Sequence, residues 1–359
     1  MLWLVIIFGL TYLALQAWIL RGWLCIPEKQ IKPSDLPLSV IIAAHNEVEN
    51  LKKFLPHVLR QNYRDYEVVL VLDRSNDGSK EWLAELNNSR LSSVIISETP
   101  EGWAPKKWAL TQGIEAAKNE HLVFTDADCQ PQENWLSEVA GHFTGNTELV
   151  LGIGPYFQYP GLLNAFIQFE TAYAAFQYVG LAVNGFPYMG VGRNIAYTRS
   201  FFQRNGGFRK FKDKLSGDDD LLVNAFARKE NTTVMVSEKS KVFSEPKHTF
   251  YTWFRQKLRH ISASTDYSSP TKIILGIFHL SHLGFYLFGL LLCMTNLTGW
   301  AFFSLYILKM GISGVMFAQV AVKIGMRRII WAYPVLDFLF FIYNLSAVPI
   351  GLIRKPSWI

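Results

Sequence analysis

Cysteine is scarce, with three among 359 residues, and no C-x-x-C pair occurs. Cys25 and Cys293 lie beside or within apolar stretches and Cys129 beside acidic residues, so neither disulfides nor a zinc site is expected. Glycine-rich phosphate cradles are missing too. There is no G-x-x-x-x-G-K-[ST], no G-x-G-x-x-G follows the first strand, and Gly152-Ile153-Gly154 is too short to serve. A phosphorylated ligand would then need a carboxylate-held metal to neutralise it. No basic low-complexity tail accompanies the net charge of +6. That charge points to attraction toward a membrane surface, and nucleic acid is not an expected partner.

Charge itself is absent from long stretches. Residues 2–20 carry none, and nineteen apolar-rich residues are about enough to cross ~30 Å of hydrocarbon. The stretch has neither the basic start nor the small-residue cleavage site of a signal peptide, so residues 1–22 read as an uncleaved transmembrane anchor. Arg21, Lys29 and Lys32 follow and put the next domain in the cytoplasm, with a bacterial inner membrane as the expected location. Apolar character returns over 272–353. A break at Thr295–Gly299 divides spans near 273–294 and 299–322, and Lys323, Arg327 and Arg328 mark a cytoplasmic turn. The segment 329–353 holds Pro334, Asp337 and Pro349 and precedes Arg354-Lys355. A simple third span would leave that basic pair outside, so spanning and re-entrant courses both stay open. Lys309 and Asp337 fall within apolar segments, where charge is costly unless paired, and a structural Lys309–Asp337 pair is expected.

What remains, residues 35–250, alternates short β-branched runs with helical ones. Strands are expected at 39–43, 67–72, 94–96 and 122–125, with helices at 47–60, 79–88, 106–118 and 133–143. This alternation predicts an α/β domain with right-handed crossovers and a mostly parallel sheet. Ligands of such sheets bind at the carboxyl ends of strands. Those ends carry His45-Asn46-Glu47, Asp73-Arg74-Ser75-Asn76-Asp77-Gly78 and Asp126-Ala127-Asp128.

Each acidic or basic group has a bland explanation beside a chemical one. Asp126-Ala127-Asp128 is a turn, or a pair of oxygen ligands for Mg²⁺ or Mn²⁺. Asp218-Asp219-Asp220 before Leu221-Leu222 is a helix N-cap, or a general base raised in pKa by its like-charged neighbours. Lys106-Lys107 after Pro105 sits where the helix dipole disfavours cations, which suggests an anion nearby as readily as a solvated pair. The basic, aromatic stretch 251–270 reads as an interfacial amphipathic helix, from which Gln256 and Arg259 can also reach a leaving diphosphate. Aromatics crowd 156–188, as buried core or as an apolar helix at a lipid entrance.

Taken in order, these segments resemble membrane-bound family 2 glycosyltransferases of the GT-A fold. The matches are P-L-S-V-I-I-A-A-H-N-E at 37–47 and Leu72-Asp73-Arg74-Ser75-Asn76-Asp77-Gly78-Ser79 against V-D-D-x-S-x-D-G-[ST]. They continue with the D-x-D of Asp126 and Asp128, and with Gly192-Arg193-Asn194-Ile195-Ala196-Tyr197 to Gly206-Gly207-Phe208. The last are Gly217-Asp218-Asp219 against [GTA]-[ED]-D, and Gln256–His260 against Q-x-x-R-W. The resemblance implies a metal-dependent, inverting hexosyltransferase using a UDP-sugar. Ala43, Asn46, Glu47, Asp73, Lys106, Lys107, Asp126, Gln256 and Arg259 would bind the donor, and Asp128 with Asp126 the metal. Asp219 beside Asp218 would be the base, and Gly192, Arg193, Asn194 and His260 would face the acceptor. Leu72 replaces the first aspartate of the base-contacting pair, and His260 replaces the tryptophan. The short C-terminal bundle looks more like that of ceramide or other lipid glucosyltransferases, so a membrane lipid hydroxyl is the expected acceptor. The alternatives are a processive polysaccharide synthase and a non-catalytic membrane partner of one.

Overall fold

A computed structural model describes residues 1–27, 34–294 and 299–353. Lys29, Lys32, the break at Thr295–Thr298 and Arg354-Lys355 lie outside the described residues. The chain divides into two compact units, one formed by Pro27–Phe157 with Pro187–Glu245, the other by Met1–Ile26, Gln158–Phe186 and the described residues from Pro246 to Ile353. Elements are numbered along the whole chain.

The first unit is the α/β domain. Its larger sheet has seven strands in the order β3-β2-β1-β4-β7-β6-β8. These are β1 (Leu38–Ala44), β2 (Tyr66–Asp73), β3 (Leu91–Ile96), β4 (His121–Phe124), β6 (Leu149–Leu151), β7 (Ile195–Thr198) and β8 (Thr232–Val234). The first four run parallel, while β7 is antiparallel to both β4 and β6. A small second sheet pairs β5 (Cys129–Pro131) with β9 (Val242–Ser244). The helices are α2 (Val48–Leu59), α3 (Ser79–Glu85), α4 (Pro105–Ala116), α5 (Trp135–His142), α7 (Arg199–Arg204) and α8 (Asp220–Phe226). β1 and β2 are apolar and buried on both faces, as strands covered by helices must be. Gly113 lets α4 lie directly on them, because a Cβ there would come within 2.7 Å of Ile41 and 2.9 Å of Val71. The expected α/β class and mostly parallel sheet are what the structure has.

Among the described residues, the second unit holds four helices long and apolar enough to cross a membrane. They are α1 (Leu2–Leu24), α10 (Ser269–Met294), α11 (Gly299–Lys323) and α12 (Tyr333–Ile353). The segment after 329 is therefore a helix of spanning length, despite Pro349. With them are α6 (Leu162–Val183) and α9 (Phe250–Ala263). α6 crosses α1 backbone to backbone at Gly180 and Gly22, where a Cβ on Gly22 would sit 2.1 Å from the Gly180 carbonyl oxygen. Its aromatics are spent on packing: Phe169 meets Phe317, Tyr333 and Phe340, and Tyr173 meets Phe278 and Phe340. On α9, Trp253 and Lys257 are buried and Lys257 pairs with Glu170 of α6. Asp337, Lys309 and His282 are all at most 2% exposed, with Lys309 Nζ and His282 Nε2 at 2.5 and 3.3 Å from the carboxylate. Tyr286 and Tyr333 donate their hydroxyls to the same carboxylate.

Candidate active site

The carboxyl ends of β1 and β2 are knitted together. Asn46 accepts from the Asn76 amide at 2.9 Å and gives its own amide to Ser75 Oγ at 3.1 Å. Asp77 accepts from the Val48 amide, the start of α2, at 2.8 Å. Asn46 and Arg74 hold φ of 55° and 50°, a left-handed conformation costly for side chains with a Cβ, and both stand at these strand ends. Asp73 is buried at the end of β2, and the guanidinium of Arg74 grips both its oxygens at 2.8 and 2.9 Å. Ala43 lies half-buried one residue before the end of β1, and Glu47, bonded to Asn50, caps α2.

β4 ends at Phe124, and Asp126 and Asp128 follow at its carboxyl end. The ligand atoms of Asp126, Asp128 and Cys129 lie within 4.8 Å of one another. Cys129 is 1% exposed and gives its thiol hydrogen to Asp128 Oδ1 at 3.3 Å. Burial, more than the neighbouring carboxylates, pushes that thiol well above its ordinary pKa. A protonated thiol is a poor ligand, so the two carboxylates would form the donor set for any metal held there, and oxygen donors fit Mg²⁺ or Mn²⁺.

Lys106 joins the two acidic clusters. Its Nζ lies 3.0 Å from Asp126 and 3.0 Å from Asp218. Burial works against its charge, but Asp126, Asp218 and Asp219 outweigh it and hold the ammonium firmly protonated. Lys107, its neighbour, is 1% exposed and donates to the carbonyls of Lys214 and Ser216. Of the expected phosphate-facing pair, only Lys106 meets the carboxylates.

Asp219 caps α8, taking the Asp220 amide at 2.8 Å on one oxygen and the Gly192 amide on the other. Burial, then the charge of Asp218, raises its pKa to about 6. Asp218 is pushed up by burial as well, but Lys106 and Lys107 outweigh that and hold it below the usual carboxylate range. The two adjacent acids are thus driven apart, one kept ionised and one left able to take a proton near neutrality.

The turn Gly192–Asn194 touches several of these parts. Gly192 holds Asp219, and a side chain there would meet its carboxylate at 3.2 Å. Arg193 lies over the Tyr156 ring at 4.6 Å and donates to the Gly154 carbonyl. Asn194 is 1% exposed and fully used, accepting from Trp135 and donating to the carbonyls of Ile153 and Ser240. Its role here is to brace β7. Gln256, Arg259 and His260 lie on α9, in the other unit. Arg74, Tyr156 and the donor role of Cys129 are the site features that motif spacing did not single out; the only hint of Arg74 was the missing acid at Leu72.

Residues 39–205 match the family model described as Glycosyl transferase family 2. That segment, just under half of the chain, is similar to a family 2 glycosyltransferase domain. Over 132 residues, 35% of the chain, it is 35% identical to glycosyltransferase AglE of Haloferax volcanii, spanning 42% of that protein. Over 109 residues, 28% of the chain, it is 34% identical to an undecaprenyl-phosphate 4-deoxy-4-formamido-L-arabinose transferase of Aeromonas hydrophila subsp. hydrophila, spanning 32% of it. The chain therefore covers less than half the length of these curated relatives. The fold of the chain is like that of the mannosyltransferase PcManGT from Pyrobaculum calidifontis, solved with GDP-Man and Mn2+. The TM-score is 0.60 at 18% identity, over 96% of this chain and 99% of that one.

Proposed function

We propose that the protein transfers a sugar from a nucleoside diphosphate sugar to a hydroxyl of a membrane lipid, with inversion at the anomeric carbon. The observation that carries this is Asp219, held by two backbone amides, kept basic near neutrality, and joined through Asp218 and Lys106 to the Asp126–Asp128 edge. Asp219 takes the proton of the acceptor hydroxyl as that oxygen bonds to C1. The bond from C1 to the diphosphate oxygen breaks on the opposite face, and the nucleoside diphosphate leaves with the electron pair. One base without a partner nucleophile fits single displacement, by analogy with inverting glycoside hydrolysis. Lys106 offers a fixed cation to the developing diphosphate charge. Asp128 and Asp126 would hold a divalent cation, whose chemistry is to neutralise that diphosphate.

For the donor, Asp73 gripped by Arg74 can accept the N–H of a uracil ring, so a UDP-sugar is the first to test. A lipid acceptor is supported by four helices long and apolar enough to span a membrane and by the likeness to the Aeromonas undecaprenyl-phosphate transferase. The aromatics of α6 do not add to that support, because they pack against other helices of their unit. The basic residues Arg21, Lys323, Arg327 and Arg328 at helix ends favour a cytoplasmic catalytic domain.

The test is nucleotide release by the purified chain in detergent, with Mn²⁺, across UDP- and GDP-sugars, with and without a lipid extract. Lipid-dependent release is expected. Release at full rate without lipid, with growing polymer, would replace this reading by a processive synthase.

A further inference from the structure

The two lysines that open α4 do different things. Successive helix residues point about 100° apart, so neighbours cannot easily serve one anion. Lys106 turns to the carboxylates. Lys107 turns inward, and its Nζ reaches the main-chain oxygens of Lys214 at 2.5 Å and Ser216 at 2.6 Å. Among the described residues no carboxylate forms an ion pair with it; the ring of Phe211 lies 5.8 Å from the ammonium. The same loop is fastened a second time to the start of α4, by the Ala104 amide on the Lys212 carbonyl at 2.6 Å. Directly after Ser216 the chain turns at Gly217, with φ of 84°, and presents Asp218 and Asp219.

A buried ammonium is costly, and an apolar side chain would fill the same space at lower cost. What an apolar side chain cannot do is draw two carbonyls of an irregular loop to one point. The Ser216 carbonyl carbon is bonded directly to the Gly217 nitrogen, and Lys214 stands two residues earlier, so the pair is a short lever on the acids that follow.

We propose that Lys107 is a positioning residue for the base, its ammonium clamping the 214–216 carbonyls so that Asp219 stands at a fixed place opposite the sugar. This rests on Asp219 being the base. Lys107 itself touches neither substrate nor Asp219.

The experiment compares wild type, Lys107→Met and Lys107→Arg as full chains in detergent. It measures turnover, affinity for donor nucleotide with Mn²⁺, and amide hydrogen exchange over 212–220. A displacement of about 1 Å at a reacting group can cost ~10²-fold, so turnover of Lys107→Met should fall by about that factor. Its nucleotide affinity should stay within about twofold, because only the transition state is affected. Exchange over 212–220 should quicken, and Lys107→Arg, which keeps charge and donors, should recover most of the loss. Should Lys107→Met fail to fold, Lys107→Gln, a shorter and uncharged donor, should show the same pattern at smaller size: slower turnover and quicker exchange over 212–220 with nucleotide affinity unchanged. Wild-type turnover and exchange in Lys107→Met would overturn the proposal. So would a loss of nucleotide affinity as large as the loss of turnover, which would return Lys107 to the donor site. Asp219→Asn at full rate would remove the base, and with it the link to catalysis, whatever the exchange shows.

Discussion

Two lysine–aspartate clusters, one in each unit, use the same ions to opposite ends. Lys106 sits between Asp126 and Asp218 with about a third of its side chain exposed. Lys309 faces Asp337 with both almost wholly buried, and the carboxylate is further ringed by Tyr286, Tyr333 and His282. In the first cluster acids outnumber the cation and stay open to incoming groups. In the second every oxygen of Asp337 has a partner. The open cluster can exchange partners, which transfer chemistry requires. The sealed one can only hold helices α10, α11 and α12 together. A surplus of one charge, left partly solvated, is what distinguishes a reactive site from a bolt.

The largest effect should come from the open cluster. Asp219→Asn has one carbonyl oxygen, so it can accept only one of the two backbone amides, and it cannot take a proton; general-base help is worth roughly 10²–10⁴ in rate. Sugar transfer should fall by that much while nucleotide binding persists. More than a tenth of wild-type turnover would end the assignment.

The sealed cluster should fail in stability. Asp337→Leu leaves Lys309 buried without its partner, a loss of about 3–5 kcal/mol, readable as a lower melting temperature in detergent. Lys309→Met together with Asp337→Leu should recover most of it. Exchanging the two charges should recover less than this neutral pair, because the hydroxyls of Tyr286 and Tyr333 are aimed at an acceptor at position 337. Equal recovery by the exchange would show that those hydroxyls contribute little.

Much of this was legible from the sequence, and the gaps have physical reasons. Strands β1, β2 and β4 are apolar runs cut off by polar residues, so they and their ends could be located. The antiparallel place of β7 could not, because pairing with β4 and β6 is a long-range choice that its own residues do not encode. β3 starts earlier than its apolar run because Ser92 and Ser93 sit on an edge strand and face outward. α6 looked like an aromatic stretch of the catalytic domain. Its membership of the membrane-helix unit depends on Gly22 and Gly180, and a glycine within a helix gives no local sign of a backbone crossing. Asp126, Asp128, Asp218 and Asp219 were readable as types at strand and helix ends. That one lysine bridges them while the next is buried against carbonyls is a matter of side-chain direction, which spacing along the chain does not carry.

Smaller effects should separate Lys106 from Lys107. Lys106→Met removes a cation from between Asp126 and Asp218, so it should weaken both donor affinity and turnover. Lys107→Met should spare affinity.

The smallest effect is the most specific. Asp219 works as a base only when unprotonated, and its pKa is raised to about 6 by burial first and Asp218 second. Turnover should therefore be level above that value and fall as pH drops through it, approaching tenfold per unit. The stability contribution has the opposite sense. A carboxyl whose folded pKa is raised binds its proton more tightly folded than unfolded, so this group favours the folded state at low pH and loses that favour as pH climbs through about 6. Asp219's own contribution to stability, read as the difference between wild type and Asp219→Asn, should thus run opposite to activity across the same interval. Lys106 lowers the Asp219 pKa, so Lys106→Met should move the acidic limb of the rate profile upward. A limb that stays in place in that variant would mean that Asp219 does not feel the open cluster, and that the base lies elsewhere.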